Sequence, residues 1–134
     1  MVWSSDADGF FLFGGHELVS DVRRNDLHFY DRQGNSWSAL SPSGTKPNSR
    51  NSATMVWSPT ADGFYVFAGY VTAATNDLHF YDRQANSWSG PISYGGAAVG
   101  VRFGAQGVWS SSEDGFYIFG GAPDYSSLKR SERF

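Results

Sequence analysis

The sequence contains no cysteine, which excludes disulfide bonds, thiolate catalysis and metal sites with cysteine ligands. It also lacks an Asn-X-Ser/Thr glycosylation sequon. No apolar run approaches the roughly 18 residues that a membrane-spanning helix needs. The opening MVWSSDADG has neither the basic start nor the apolar core of a secretory signal peptide. These absences predict a cytoplasmic protein that does not enter a membrane.

Strong charge of one sign and catalytic motifs are equally scarce. The formal net charge is −3, so there is no general electrostatic reason to expect nucleic acid or an anionic membrane as a partner. The sequence has no phosphate-binding loop, no dinucleotide fingerprint and no Ser/His/Asp set at a recognisable spacing. We therefore expect a protein that is not an enzyme and that needs no cofactor and no metal.

Aromatic residues and glycine are abundant instead, with eleven Phe, seven Tyr, five Trp and sixteen Gly in 134 residues. Aromatic side chains fit the pleated surface of a sheet, and glycine accepts the positive φ angles of tight turns. No window shows helical periodicity. The composition therefore predicts an all-β protein made of short strands and tight turns.

Two sequence blocks recur along the chain. Residues 25–38 read NDLHFYDRQGNSWS, and residues 76–89 repeat them with a single difference. The block MVWSSDADGFFLFGG at Met1 returns in variant form at Met55 and at Gly107. Trp57 lies 54 residues after Trp3, and Trp109 lies 52 residues after Trp57. A period of this size is typical of repeat architectures.

Each unit predicts four strands, which in the second unit are Met55–Ser58, Gly63–Phe67, Asp77–Asp82 and Ser87–Gly90. Short strands separated by turn signals predict an antiparallel meander. Successive side chains of a strand point to opposite faces, and the second strand of each unit is apolar throughout. We therefore expect both faces of this strand to be covered, as in the blades of a β-propeller.

A glycine pair closes the apolar strand in two units, and a tyrosine precedes a tryptophan with six residues between them. In this combination the chain resembles the kelch repeat. The signature residues are Gly14, Gly15, Tyr30, Trp37, Gly69, Tyr81, Trp88, Gly120 and Gly121. The resemblance implies a kelch-type β-propeller segment of about two and a half four-stranded antiparallel blades, which is not a closed ring by itself. Ala68 departs from the pattern, because it replaces the first glycine of the second unit.

The repeats divide the chain into a first repeat, a link, a second repeat, a second link, a partial third repeat and a polar, basic tail. Their expected bounds are 1–40, 41–51, 52–90, 91–102, 103–121 and 122–134. The terminal units would leave apolar faces open, and large apolar patches mark interfaces. Three explanations remain: the chain is part of a longer propeller, it associates with copies of itself or a related chain, or it persists as an open stack.

Antiparallel strands place the turns between strands one and two, and between three and four, on one rim. The opposite rim carries the 2–3 loops and the links, with Arg50, Arg102 and the tail residues Lys129, Arg130 and Arg133 among its basic residues. The kelch resemblance implies that a protein or peptide partner binds there. The expected contact residues are His16, Glu17, Arg23, Arg24, Lys46 and Tyr70. Arg50 and Arg102 share one repeat position, so we expect them to have a structural role.

Two other functions remain open. The chain could belong to a larger propeller enzyme, an oxidase or a lyase, whose catalytic residues lie on other blades. It could also be a carbohydrate-binding propeller that stacks sugars on tryptophan. A metal site at His16, Glu17 and Asp21 is not expected, because one histidine and two carboxylates in a single loop do not define converging ligands. His28 and His79 recur inside the third strand, which favours packing or a structural hydrogen bond.

Overall fold

The computed structural model describes residues 1–128, and three successive β-sheets make up most of them. Blade 1 contains β1 (Val2–Ser4), β2 (Gly9–Glu17), β3 (Val22–Asp31) and β4 (Ser36–Leu40), and β5 (Ser43–Gly44) follows in the link. Blade 2 contains β6 (Thr54–Ser58), β7 (Gly63–Tyr70), β8 (Ala74–Asp82) and β9 (Ser87–Ser89). Blade 3 is the hairpin of β10 (Phe103–Ser110) and β11 (Gly115–Ala122), followed by α1 (Tyr125–Leu128).

Within blades 1 and 2 each strand pairs with the next in antiparallel orientation, which confirms the predicted meander. The short β5 lies parallel to β9, so the first link adds an outer strand to blade 2. No helix in residues 1–128 is long and apolar enough to cross a membrane. The tail residues Lys129, Arg130 and Arg133 lie outside the described residues.

The glycine pairs mark a β-bulge. In blade 1 the pairing of β2 with β3 shifts between Phe13 and Gly15, so that Gly14, at a φ of 62°, lies opposite two residues of β3. A Cβ atom at Gly14 would lie 2.7 Å from the carbonyl oxygen of Arg50, so only glycine fits. In blade 2 Ala68 takes the place of Gly14 opposite two residues of β8 and adopts nearly the same angle, 59°. The replacement therefore keeps the bulge.

Because the bulge lets pairing continue, the second and third strands extend further than the sequence indicated. The segments 16–24 and 70–75 were expected to be loops. In blade 1, however, Glu17 pairs with Val22, and in blade 2 Tyr70 pairs with Ala74. Each connection is thus a hairpin with a short turn, which holds its side chains in fixed positions.

The turns at the other end of the blades, residues 5–8, 32–35, 59–62, 83–86 and 111–114, form what we call the turn rim. The guanidinium of Arg32 donates to both carboxylate oxygens of Asp8 at 2.7 Å, and Arg83 pairs with Asp62 in the same way. These arginines hold the pKa of each aspartate below its usual range. The charges of the turn rim therefore largely serve to join neighbouring turns of the same blade.

The core lies between blades 1 and 2 and is strongly aromatic. Phe11 of β2 stacks on Trp57 with ring centroids 5.8 Å apart and also contacts Phe64 and Tyr81. Phe13, two residues further along β2, packs against Trp88 at 5.2 Å. Two side chains of one blade thus reach a row of four aromatic residues on the next.

The expectation that the second strand is covered on both faces holds for blade 2 alone. In β7, Phe64 and Val66 face blade 1, while Phe67 on the opposite face is also buried. In β2 the outward Leu12 is partly exposed, and in β11 Phe119 is exposed. The reason is that, of the three blades in the described residues, blade 2 alone has a neighbouring blade on each side.

Candidate protein-interaction rim

The rim opposite the turn rim is built from the ends of the β2–β3 and β7–β8 hairpins and from the two links. We call residues 16–24, 41–51, 70–75 and 91–102 the link rim. Backbone hydrogen bonds place each link between two strands of the preceding blade. The carbonyl oxygen of Arg50 accepts from the backbone N–H of Gly15 at 2.9 Å, and the N–H of Arg50 donates to the carbonyl oxygen of Arg24 at 3.0 Å. Arg102 repeats the arrangement with Gly69 and Thr75, at 2.9 and 2.8 Å.

The side chain of Arg50 connects the first link to blade 2. It is only 1% exposed. Its guanidinium donates two hydrogen bonds of 2.7 Å to the carboxylate of Asp77 and one of 2.9 Å to the carbonyl oxygen of Ala68. Arg50 is therefore enclosed within the protein and is not available to a partner.

Asp77 holds this connection in its ionised form. Burial alone would raise its pKa, but hydrogen bonds to His79 and Arg50 hold the pKa well below the usual value near 4. His79 lies 2.8 Å from the same carboxylate, and His28 lies 3.2 Å from Asp26 at the equivalent place in blade 1. Both strand histidines thus lie within hydrogen-bonding distance of an aspartate.

Arg102 occupies the position of Arg50 one repeat later. It donates to the carbonyl oxygens of Gly100 and Gly120, at 3.1 and 3.0 Å, as Arg50 does to those of Asn48 and Ala68. Within residues 1–128 no carboxylate pairs with it. Arg102 also lines a cavity of about 650 Å³ between blades 2 and 3, together with Phe67, Phe116 and parts of the second link. At the first interface Trp88 of β9 packs against Phe13 and Phe64, which stand at the repeat positions of Phe67 and Phe116.

Four of the six expected contact residues lie on the β2–β3 hairpin. His16 pairs with Arg23 in the ladder, and Gly15 with Arg24. The imidazole of His16 lies 2.7 Å from Asp21, and Arg24 forms a salt bridge with Glu17. The side chains of His16, Glu17 and Arg24 are therefore engaged in contacts within the hairpin. Among the described residues no three metal-ligating side chains converge, here or elsewhere.

Arg23 and Tyr70 are brought together although they belong to different blades. The guanidinium carbon of Arg23 lies 4.9 Å from the centre of the Tyr70 ring, and its Nε donates to Asn51 at 3.2 Å. Tyr70 also contacts Phe103 and Tyr125, with ring centroids 5.4 and 4.9 Å away. A cationic and aromatic patch thus crosses the link rim from blade 1 to blade 3.

Lys46 lies apart from this patch. It lines a cavity of about 300 Å³ between the outer strands of blade 1 and Trp88. Its side chain is exposed, and the described residues offer it no salt-bridge partner. Of the six expected residues, four therefore lie on the β2–β3 hairpin, Tyr70 of β7 lies against it through Arg23, and Lys46 lies apart from them.

Two residues that the sequence analysis did not single out stand at the tip of the hairpin. Leu18 is 81% exposed and Val19 is 100% exposed. The signal was available in the sequence, because HELVSDVRR places two apolar residues in the middle of an otherwise polar connection. The polar residues around this pair predict a loop, whereas the paired hairpin presents its tip to solvent.

Comparison with known proteins agrees with this architecture. The Rho GTPase-activating protein gacHH of Dictyostelium discoideum is 32% identical over 88 residues, which are 62% of this chain and 6% of that protein. The chain thus corresponds to a small part of the relative's length. Residues 2–132 match the KLHDC2/KLHL20/DRC7 Kelch-repeats domain. The chain belongs to this Kelch-repeat family, and the predicted kelch-type propeller segment is confirmed.

Proposed function

We propose that the chain is a protein-interaction scaffold that binds a protein or peptide on its link rim. Membership of a Kelch-repeat family supports a scaffold role in general. The observation that carries the proposal to this rim is the β2–β3 hairpin, whose tip presents Leu18 and Val19 to solvent. Adjacent apolar side chains on a rigid, polar-flanked element are typical of binding surfaces.

The chemistry of the partner follows from the groups around the tip. Arg23, Lys46 and Arg102 are cations of the link rim that form no salt bridge within residues 1–128. The exposed aromatic edge of Tyr125 lies beside Tyr70. A segment that combines apolar side chains with carboxylates would therefore match the rim in both packing and charge.

Arg23 and Arg24 are less suited to testing this proposal than the sequence suggested. Arg23 hydrogen-bonds to Asn51 and packs on Tyr70, and Arg24 pairs with Glu17, so replacing them also removes contacts within the protein. The exposed side chains of Leu18 and Val19 make no comparable contact within residues 1–128. Changing them alters the surface while leaving the fold intact.

The test starts from peptides selected by display of a random library on the immobilised chain. Binding of a selected peptide is then measured by calorimetry with the double variant Leu18→Asp/Val19→Asp. We expect its affinity to fall by about tenfold or more, because removal of a central apolar contact typically costs over 1 kcal/mol. The matched control, Ala85→Asp/Ser111→Asp on the turn rim, should bind as the unchanged chain does. Equal affinity in both double variants would refute the assignment to the link rim.

A further inference from the structure

The two outermost blade faces are apolar and are equivalent to faces that are buried elsewhere in the same chain. On blade 1 the outward row is Trp3, Phe10, Tyr30 and Trp37, which lie side by side in the register of β1 to β4. Trp37 is 53% exposed. On blade 3 the outward residues are Val108, Tyr117 and Phe119, and Phe119 is 84% exposed.

Each open face has a covered counterpart at the same repeat positions. The row of blade 1 corresponds to Trp57, Phe64, Tyr81 and Trp88 of blade 2, which are all buried against blade 1. The open face of blade 3 corresponds to Val2, Phe11 and Phe13 of blade 1, the residues that cover that row. Blade 1 therefore carries the aromatic row, which we call the receiving surface of the internal contact. Blade 3 carries the residues that pack onto such a row, which we call the inserting surface.

The same type of contact occurs at both blade interfaces of the chain, between blades 1 and 2 and between blades 2 and 3. Tyr65 of β7 stacks on Trp109 at 6.4 Å and contacts Phe116 at 5.3 Å, as Phe11 does with Trp57 and Phe64 in the preceding interface. Blade 3 supplies the inserting residues from β10 and β11 alone. That is sufficient for the aromatic contacts, because in the first interface Phe11 and Phe13 of β2 make all four contacts with the row.

From this equivalence we propose that a second copy of the chain packs its blade 1 face onto the blade 3 face of the first. Tyr117 would take the place of Phe11 against the second copy's Trp3, Phe10 and Tyr30, and Phe119 would take the place of Phe13 against its Trp37. The two surfaces are different, so the contact is head-to-tail and leaves a free face at each end of the pair. The internal interface between blades 1 and 2, where the equivalent side chains are almost completely buried, indicates how far these side chains would be covered.

Sedimentation velocity of the 134-residue chain tests the proposal. Over a range of about 1 to 100 µM the unchanged chain should shift from monomer to larger species, because association depends on concentration. Phe119→Asp blocks one face and Trp37→Asp blocks the other, so each variant alone should remain monomeric. Mixed in equal amounts, the two should form a dimer and nothing larger, since each retains the face that the other lacks.

The mixing step separates this interface from non-specific aggregation. Val19→Asp removes an exposed apolar side chain from the hairpin tip and should leave the association of the chain unchanged. A monomeric unchanged chain over the whole range would overturn the proposal, and so would a mixture that stays monomeric or a single variant that self-associates. Circular dichroism checks that each variant is folded, and Val108→Asp with Trp3→Asp provides a second pair on the same two faces.

Discussion

Blades 1 and 2 carry almost the same third and fourth strands but use them in different surroundings. Residues 25–38 and 76–89 differ at one position, and within each blade the tyrosine and tryptophan rings lie 5.2 or 5.3 Å apart. Nevertheless Trp88 is 4% exposed and Trp37 is 53% exposed. The comparison teaches that a repeat determines its own internal geometry, whereas its burial depends on whether a neighbouring blade covers it.

Truncating the two tryptophans should break the comparison most clearly. Trp88→Ala removes a side chain packed against Phe13, Phe64 and Tyr81, so we expect the free energy of unfolding to fall by about 3–5 kcal/mol. Trp37→Ala should cost less than about 1 kcal/mol, because the side chain is already half in solvent. Urea unfolding at low protein concentration measures both. Equal losses would mean that blade 1 has a covering partner in solution.

A second contrast concerns the two arginines of the links. Arg50→Met removes the partner of a half-buried carboxylate, and we expect a loss of about 2–3 kcal/mol in unfolding free energy. Arg102→Met should lose less than about 1 kcal/mol, since Arg102 hydrogen-bonds to carbonyl oxygens and has no carboxylate partner within the described residues. Urea unfolding of the two variants gives the difference. A larger loss for Arg102 would contradict the pairing described for Arg50.

Unfolding at acid pH tests the pairing of Arg50 with Asp77, because it depends on the protonation of Asp77. Its pKa is lower in the folded chain than in the unfolded chain, so its stabilising contribution is present above about pH 4 and decreases as the pH falls further. At about 1.4 kcal/mol for each pH unit, one such group accounts for at most about 2 kcal/mol between pH 4 and pH 2.5. Asp77→Asn should be less stable at pH 7 and should show a shallower loss in this range. A parallel pH profile would contradict the assignment.

The smallest expected effect is a gain. The indole nitrogen of Trp57 donates to Asp6 at 3.0 Å across the first blade interface, whereas the buried indole nitrogen of Trp109 has no acceptor among residues 1–128. Thr60 stands at the repeat position of Asp6, so Thr60→Asp should provide the missing acceptor and raise the unfolding free energy by about 1 kcal/mol. Ser112→Asp, at the same position of blade 3, is the matched control and should give no gain in thermal unfolding.

Much of the fold could be predicted from the sequence because the signals were local. The strands β2, β7 and β11 begin at Gly9, Gly63 and Gly115, directly after the acidic turns that the repeats place there. The aspartate before each of these glycines adopts a positive φ, which aspartate tolerates better than most residues. The positions of these hairpins therefore followed from residue type and spacing alone.

The candidate site was less accessible, since it depends on contacts between distant residues. Arg50 and Asp77 are 27 positions apart, and Arg23 meets Tyr70 across a blade boundary. Nothing in the spacing of these residues encodes their pairing. The bulge at Gly14 had a recognisable glycine signal, but that signal was interpreted as the end of the strand, so the hairpin tip at Leu18 and Val19 was missed.

The pairing of Arg50 with Asp77, which joins the first link to blade 2, also bears on how repeats can be added to such a chain. The arginine lies upstream of the second VWS block, while its carboxylate partner lies in the third strand downstream, so the two halves of a joint are encoded on either side of one inner hairpin. A duplicated segment that runs from one link to the next carries its own arginine, its own aspartate and a backbone slot for the following link. Copies of such a segment can therefore follow one another in tandem without further substitutions at the blade boundaries. Every copy already contains the arginine, the aspartate and the backbone groups that bind the following link.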